Sequence, residues 1–503
     1  MTPIKASAFF ILTCLFTFGT ASAQLSIRTL STARYGKLPN IDKENNPAVF
    51  SDLILEYRYN SFLGGIRTEG FRADHIGNRY DRVSQKYLEY TADWGSARLG
   101  NSYAILGRGI IFRGFELPGF VNESRVFRTQ HRVIRDLNGL NLNFNRGPVS
   151  AKFLLGETPV NALDPPEERA EGDLRGGQLS VNIPANITLG TAYLVYNTTS
   201  KDKLSSYFLS WSADDFLTQI GAKDLTFDFY SEYATNKDYG KLAKFNRQTP
   251  HALYVTGNFT WSTLGGSLEY KDYQAFDFGI NDPPPLIREN SEYLLNRITH
   301  RLDSFGERGY QAELYYSPQL PTRITGNFSR AKNNSGNLFL QRYIGIDYTF
   351  DPWTARFFFD HGKEEFLSES RRITTGIVPD YTFSNGTIIG LDLEWQNVKR
   401  EFSPDFVYTL TNLYANLSLQ NWHKWSLAFS LERSTDPDVT GVDPLRESEV
   451  KYFFNSNVGW QPLPQVSLQL FAGERRRSTQ CDHGFCLEVL DYKGVELRLD
   501  TVW

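Results

Sequence analysis

Apolar and polar residues alternate with a period of two along most of the chain. Leu53, Leu55, Tyr57 and Tyr59 alternate with Glu56 and Arg58, and Phe227, Phe229 and Tyr233 with Asp228 and Glu232. Leu264, Leu268 and Tyr270 alternate with Ser267, Glu269 and Lys271. The rhythm returns at Trp353, Ala355, Phe357 and Phe359, at Ile389, Leu391, Leu393 and Trp395, and at Trp425, Leu427, Phe429 and Leu431. Successive side chains of an extended strand point to opposite faces, so each segment predicts a β-strand with one apolar and one polar face. Charge on the second face argues against a soluble sandwich, whose inner face would be apolar. It fits a wall with lipid outside and a water-filled lumen inside.

The connections sort by length. Short turns are predicted at 60–61, 145–148, 184–185, 262–263, 351–352, 384–387, 420–423 and 461–464. Long polar segments lie between them, at 157–170, 235–250, 275–309 and 434–447. Soluble antiparallel folds do not separate loop lengths this strictly. The pattern predicts an all-β fold, a transmembrane antiparallel β-barrel of about 24 strands (range roughly 18–26), with short periplasmic turns and long extracellular loops. An even count returns the last strand to the rim where a first strand near residues 24–33 begins.

Both ends agree. Lys5, the apolar run 6–19 and the small residues Ala21, Ser22 and Ala23 predict a secretory signal peptide, 1–23, leaving one barrel domain, 24–503. Cys14 lies inside the apolar run, between Thr13 and Leu15, without the flanking residues of a lipidation site. At the other end Val495, Leu497, Leu499, Thr501 and Trp503 share one face, and Glu496, Arg498 and Asp500 the other. This stretch resembles the C-terminal signature strand of bacterial outer-membrane β-barrels. The resemblance implies that Trp503 belongs to an assembly signal read by the barrel-assembly machinery, and that the barrel sits in the cell outer membrane among lipid and lipopolysaccharide.

Composition narrows the reading. After the leader no stretch approaches the roughly 18 apolar residues of a membrane helix. Aromatic residues make up 15% of the chain, which suits interfacial girdles. The net charge of -4 is spread out, with no basic domain of the kind that binds nucleic acid. Cys481 and Cys486 predict a local disulfide in the last loop of an exported protein. His483 between them offers three adjacent ligands without a fourth, and Asp436, Asp438 and Asp443 lack the spacing of a calcium loop, so neither a metal nor a cofactor is expected.

Two segments break the alternation. Residues 100–116 are rich in glycine and arginine and are followed by Arg125, Arg128, His131, Arg132 and Arg135. Glycines allow a strand extension to fold inward. Arg108, Arg113, Arg125, Arg128, Arg132 and Arg135 are the candidates for an electropositive lining or constriction. An external loop whose arginines pair with lipopolysaccharide phosphates or inward carboxylates is the other reading. The second segment, 272–301, carries three consecutive prolines and then Leu286, Ile287, Tyr293, Leu294, Leu295 and Ile298, too apolar for a free loop. Residues 277–301 are expected to fold into or across the barrel mouth. With residues 269–273 and the cysteine-bracketed last loop, these segments resemble a porin-like family of Gram-negative outer-membrane β-barrels. The resemblance implies a barrel and an outer-membrane address, and brings no activity or catalytic residues.

No enzyme is expected. There are seven histidines, and adjacent Asp360 and His361 on a strand point to opposite faces. Residues 24–48 are too short for the separate plug domain of an energy-coupled transporter, so any occlusion must come from the barrel's own loops or a partner. The expected function is a channel or transporter for a polar solute, with a lean to anions from the arginines. The alternative is a non-transporting scaffold that anchors a surface or secretion-system partner.

Overall fold

The computed structural model describes residues 23–503 except 40, 74–75, 167, 237–249, 285–287, 289, 298–299, 301–305, 319–320, 422–423, 446–448 and 483–484; for residue 23 and 479–488 it describes the backbone alone. The expected leader and most of loop 235–250 therefore lie outside the described residues, as do Leu286, Ile287, Ile298 and His483.

Twenty-four antiparallel strands form one closed sheet. Strands β1 to β5 are Ala23–Lys37, Asn46–Tyr59, Phe62–Ala73, Asn78–Ala92 and Gly95–Ser102. Four short strands follow inside an insertion: β6 (Ile105–Leu106), β7 (Phe112–Arg113), β8 (Phe115–Glu123) and β9 (Gln130–Arg135). The wall resumes at β10 (Leu137–Arg146), which pairs directly with β5, and continues strand by strand to β27 (Val466–Arg475). A hairpin of β28 (Ser478–Asp482) and β29 (Phe485–Val489) precedes β30 (Tyr492–Val502).

β30 closes the barrel by pairing with both β27 and β1. The first strand begins where the sequence places it and runs four residues further, to Lys37, than the expected end at Ala33. The backbone of Trp503 exchanges two hydrogen bonds with Ile27, each 2.8 Å, so the last residue is part of the seam. Gly36 faces Gly494 across it, and a Cβ on Gly494 would lie 2.4 Å from the Gly36 Cα. Only glycine allows the two backbones to come this close.

The period-two pattern is realised as two environments. Outward residues such as Leu88, Leu268, Phe357, Leu417 and Leu497 are exposed on the outer face, as a lipid-facing band requires. Trp261, Phe350, Trp353, Trp460 and Trp503 are exposed near the short-turn rim and supply the aromatic girdle. That rim is built from tight connections at 60–61, 93–94, 147–148, 262–263, 351–352 and 464–465. Residues 213–224, with the short helix Asp214–Gln219, are a longer connection on the same side that the alternation did not reveal. Long segments, 103–136, 275–305 and 476–491 among them, leave the opposite rim.

Candidate functional site

The inner face is packed in one half only. On β2 the inward Asp52 is 4% exposed, whereas Arg58, three pairs of residues nearer the short turns, is exposed. Glu232 is buried and Asp228 exposed on Leu225–Asn236, and Glu432 is buried and Ser426 exposed on Trp425–Ser434. Two inward-folded inserts fill the half near the long loops.

The first is 103–136. Leu106, Ile110, Ile111 and Phe112 are 0% exposed and share one apolar cluster with the inward wall residues Leu154, Leu174, Leu194, Leu204, Tyr254 and Tyr273. Removing this apolar surface from water drives the insert against the wall. Its tip is a tight turn in which the Gly109 amide donates to the Leu106 carbonyl at 3.0 Å. Gly107 sits at φ +58° with its amide donating to Gln178 Oε1 at 2.8 Å, and any Cβ there would lie 2.2 Å from the Glu232 carboxylate. The Arg108 amide donates to Glu232 Oε2 at 2.9 Å.

Charge pairs hold the rest. Arg67, 1% exposed, donates to both carboxylate oxygens of Asp52 (2.7 and 2.5 Å) and to Glu116 of the insert (2.9 Å). Glu116 also accepts from Arg132 at 2.9 Å and from Tyr103 at 2.7 Å. Arg34 on β1 holds Glu123 through two bonds of 2.5 and 2.6 Å.

The six candidate arginines therefore separate. Arg113, Arg128 and Arg132 pair with Asp282, Asp42 and Glu116 at 2.9, 2.7 and 2.9 Å. Arg135 is buried, donates to the carbonyls of Arg113 and Asn281, and lies 5.0 Å from the Phe115 ring centre. Arg108 stacks on Tyr230 at 4.3 Å. Arg125 is exposed at the tip between β8 and β9. Among these, carboxylates neutralise three and ring or carbonyl contacts engage two. Beside them, burial and then the Arg169 charge push His131 down to about 3, which keeps it neutral.

The described residues of the second insert, between 275 and 300, fold across the same half, as the apolar Leu294 and Leu295 predict. Phe276 and Ile280 enter the first insert's cluster. The two inserts also share backbone: Asp282 donates to the Gly109 carbonyl (3.0 Å) and Arg113 to the Ile280 carbonyl (3.2 Å). Further along, the first amides of the short helix Tyr293–Asn296 donate to the wall carboxylate of Glu394 at 2.7 Å each, an anion at a helix N-terminus. Arg297 forms a two-pronged pair with Glu432 (2.5 and 2.7 Å), and Arg476, from the last long loop, adds bonds to Glu432 and Asp436. Asp436 is thus an ion-pair partner and helix cap. Asp52, Arg67, Glu394 and Glu432 were missed by sequence reasoning; a search for inward charges near the long-loop strand ends would have found them.

His300 locks the end of this insert. It bonds Glu364 at 2.6 Å and Glu307 at 3.1 Å and stacks on Phe339. Burial opposes its charge, but the bonds to the two carboxylates outweigh it and raise its pKa from 6.5 to about 8. Protonation therefore favours the docked insert: the stabilisation, about 2 kcal/mol, is complete below pH 6.5 and lost as pH rises through 8. Hydrogen exchange of 293–297, corrected for intrinsic rates, is expected to accelerate between pH 6 and 9 in the native chain but not in His300→Gln. Equal acceleration in both would contradict the assignment.

In the last loop the β28–β29 register places Cys481 opposite Cys486. Their side chains lie outside the described residues.

A closed antiparallel barrel of 24 strands with loops folded into its lumen is the architecture of outer-membrane β-barrels. The chain belongs to a family of unknown function, DUF6029, whose profile matches residues 22–365. No curated protein matches it. Among solved structures it is similar to a chain of the E. coli P pilus tip assembly intermediate PapC-PapD-PapK-PapG, with TM-score 0.51 and 8% identity, covering 95% of this chain. This chain spans 60% of that one. The siderophore receptor PirA of Pseudomonas aeruginosa matches with TM-score 0.42 and 10% identity over 97% of this chain and 81% of its own. OprD of the same organism matches with TM-score 0.34 and 11% identity over 96% and 93%.

Proposed function

We propose that this protein is an outer-membrane transporter for a polar solute whose own inserts close the lumen and whose displacement opens it. The observation that carries the reading is the insert 103–136, packed in the lumen and tied to the wall by the bond from Arg67 to Glu116 and by Arg132, 3.7 Å from Asp52. The half toward the short turns is lined by exposed polar residues such as Arg58, Asp228 and Ser426, a vestibule that a solute leaving the inserts would enter. Because Asp282, Asp42 and Glu116 pair with the arginines, the proposal drops the lean to anions. The leader 1–23 with cleavage after Ala23, the contacts with lipid and lipopolysaccharide, recognition of Trp503 by the assembly machinery, and a disulfide between Cys481 and Cys486 belong to the same proposal. The directly opposed positions of the two cysteines support the disulfide, since cross-strand Cα separations fall in the range that one spans.

The second reading, a scaffold for a surface or secretion partner, is favoured by the ion-paired filling itself, because a barrel that passes nothing can keep its lumen packed. Liposome swelling separates the two. Arg113→Ala removes the ion pair between the inserts, and vesicles carrying it are expected to take up small sugars and amino acids several-fold faster than vesicles carrying the native barrel. Failure of both folded, heat-modifiable proteins to admit any solute would overturn transport in favour of the scaffold.

A further inference from the structure

The wall is incomplete at one place. β4 pairs with β5 only from Tyr87 opposite Gly100 to Ala92 opposite Gly95. Beyond Lys86, toward the long-loop rim, β4 keeps β3 on one edge, while its other edge has no backbone hydrogen bond among the described residues. At the start of this free edge the Lys86 amide donates to the side-chain oxygen of Asn101 at 2.8 Å, which stands where a neighbouring strand would offer a carbonyl.

The edge is one wall of a cavity of about 300 Å³, formed by the five consecutive residues 82–86. The insert hairpin, through Arg132 and Asp136, and the tip of Val149–Pro159 form the other side. Several charges here lack a full set of partners. Glu69 is 4% exposed and directly opposite Arg82 in the β3–β4 register, yet no ion pair joins them and no hydrogen bond holds the Glu69 carboxylate among the described residues. Arg82 Nε and Ser84 Oγ are buried without a hydrogen bond among the described residues. Arg132 is 3% exposed, and its Nη1 is likewise without one. Asp136, by contrast, is satisfied by Gln85 and Asn101 at 2.7 and 3.0 Å. Lys86, Glu157, Arg169 and Glu171 line the same cavity, so it presents charges of both signs and is complementary to a ligand that carries both.

We propose that this cavity binds a short peptide of about two or three residues, in extended form, as an added strand on the free edge of β4. The peptide's carboxylate meets Arg82 and Arg132, its ammonium meets the carboxylates that line the cavity, Glu69, Glu157 and Glu171, and its main chain supplies the missing hydrogen bonds of the edge. A free amino acid carries the same terminal charges but no peptide group to pair with the strand, and a simple anion carries no cationic group for the lining carboxylates. The site lies between β4 and the first insert, so a bound peptide would touch Arg132, which pairs with the wall carboxylate of Asp52 at 3.7 Å. The inference rests on the transport reading, since it names the solute class, but binding is measurable without passage.

Calorimetry on the full-length folded protein in detergent tests it with three probes: trialanine, trialanine blocked at both termini, and alanine. Trialanine is expected to bind at least tenfold more tightly than either of the others. Glu69→Gln and Arg82→Gln are each expected to weaken it about tenfold, the loss of one charge-assisted hydrogen bond. The comparison of probes needs no variant and stands if a variant fails to fold. Absence of trialanine binding, equal binding of the blocked peptide or of alanine, or indifference to both substitutions would overturn the proposal. Binding without solute uptake would instead overturn the transport reading alone, and uptake without trialanine binding would overturn this inference alone.

Discussion

Arg67→Ala is expected to destabilise the barrel by about 3–5 kcal/mol and to release the first insert from the wall, because removing one member of a buried charge pair leaves the others uncompensated. The side chain is 1% exposed and joins Asp52 of β2 to Glu116 of the insert. Truncation leaves those two carboxylates close together in a water-poor interior. Arg132 moderates the loss, since it already bonds Glu116 and lies 3.7 Å from Asp52. The expected signature is a lower temperature of heat modification, together with protease cleavage within 103–136 that the native chain resists. The combined variant Arg67→Met, Arg132→Met, Asp52→Asn and Glu116→Gln removes the charge on every member of this cluster and is expected to recover most of the stability, leaving Arg34–Glu123 and Arg128–Asp42 among the charge ties of the insert. If Arg67→Ala matched the native chain in both assays, the ion-pair anchor would have no energetic role.

The wall and the inserts differed in how much of them the sequence revealed. Strand alternation is local: Trp353, Phe357 and Phe359 announce an outer face without reference to any other strand, and their positions in Trp353–Glu364 agree. Turn lengths are local too, and together they yield the strand number. The glycines of 100–116 marked an inward fold because glycine lets backbone approach closely, and Gly107 and Gly109 have positive φ at the insert's tip. Leu294 and Leu295 marked a buried loop through apolarity alone, and both are 1% exposed. What stayed hidden was pairing. Arg297 and Glu432 lie 135 residues apart, and Arg67 and Glu116 lie 49 apart, so nothing local identifies them as partners. The arginines of 108–135 looked like a lining because sequence shows their charge but not the carboxylates that meet it. The free edge of β4 was equally hidden, since it depends on β5 ending sooner than its neighbour.

These pairings determine what the barrel can do at rest. Apolar packing of Leu106, Ile110, Ile111 and Phe112 supplies attraction without direction, and the charge pairs fix where the insert sits. On the proposed transport reading, opening requires the insert to leave as a unit, because its turn, its ion pairs and its backbone bonds with Ile280 and Asp282 are coupled. Alkaline loss of the His300 proton loosens the second insert but leaves the first anchored, so pH alone is expected to open the barrel only partly.

Single-channel recording in planar bilayers, comparing the native barrel with one in which residues 104–135 are replaced by a short glycine–serine link, tests the self-closed lumen most directly. β5 and β10 already pair at Ser102 and Leu137, so the wall remains continuous without the insert. The native barrel is expected to stay closed apart from brief openings, and the deletion to show large, long-lived conductance. A native barrel that conducts steadily, or a correctly folded deletion that conducts no more than the native one, would contradict closure by the insert.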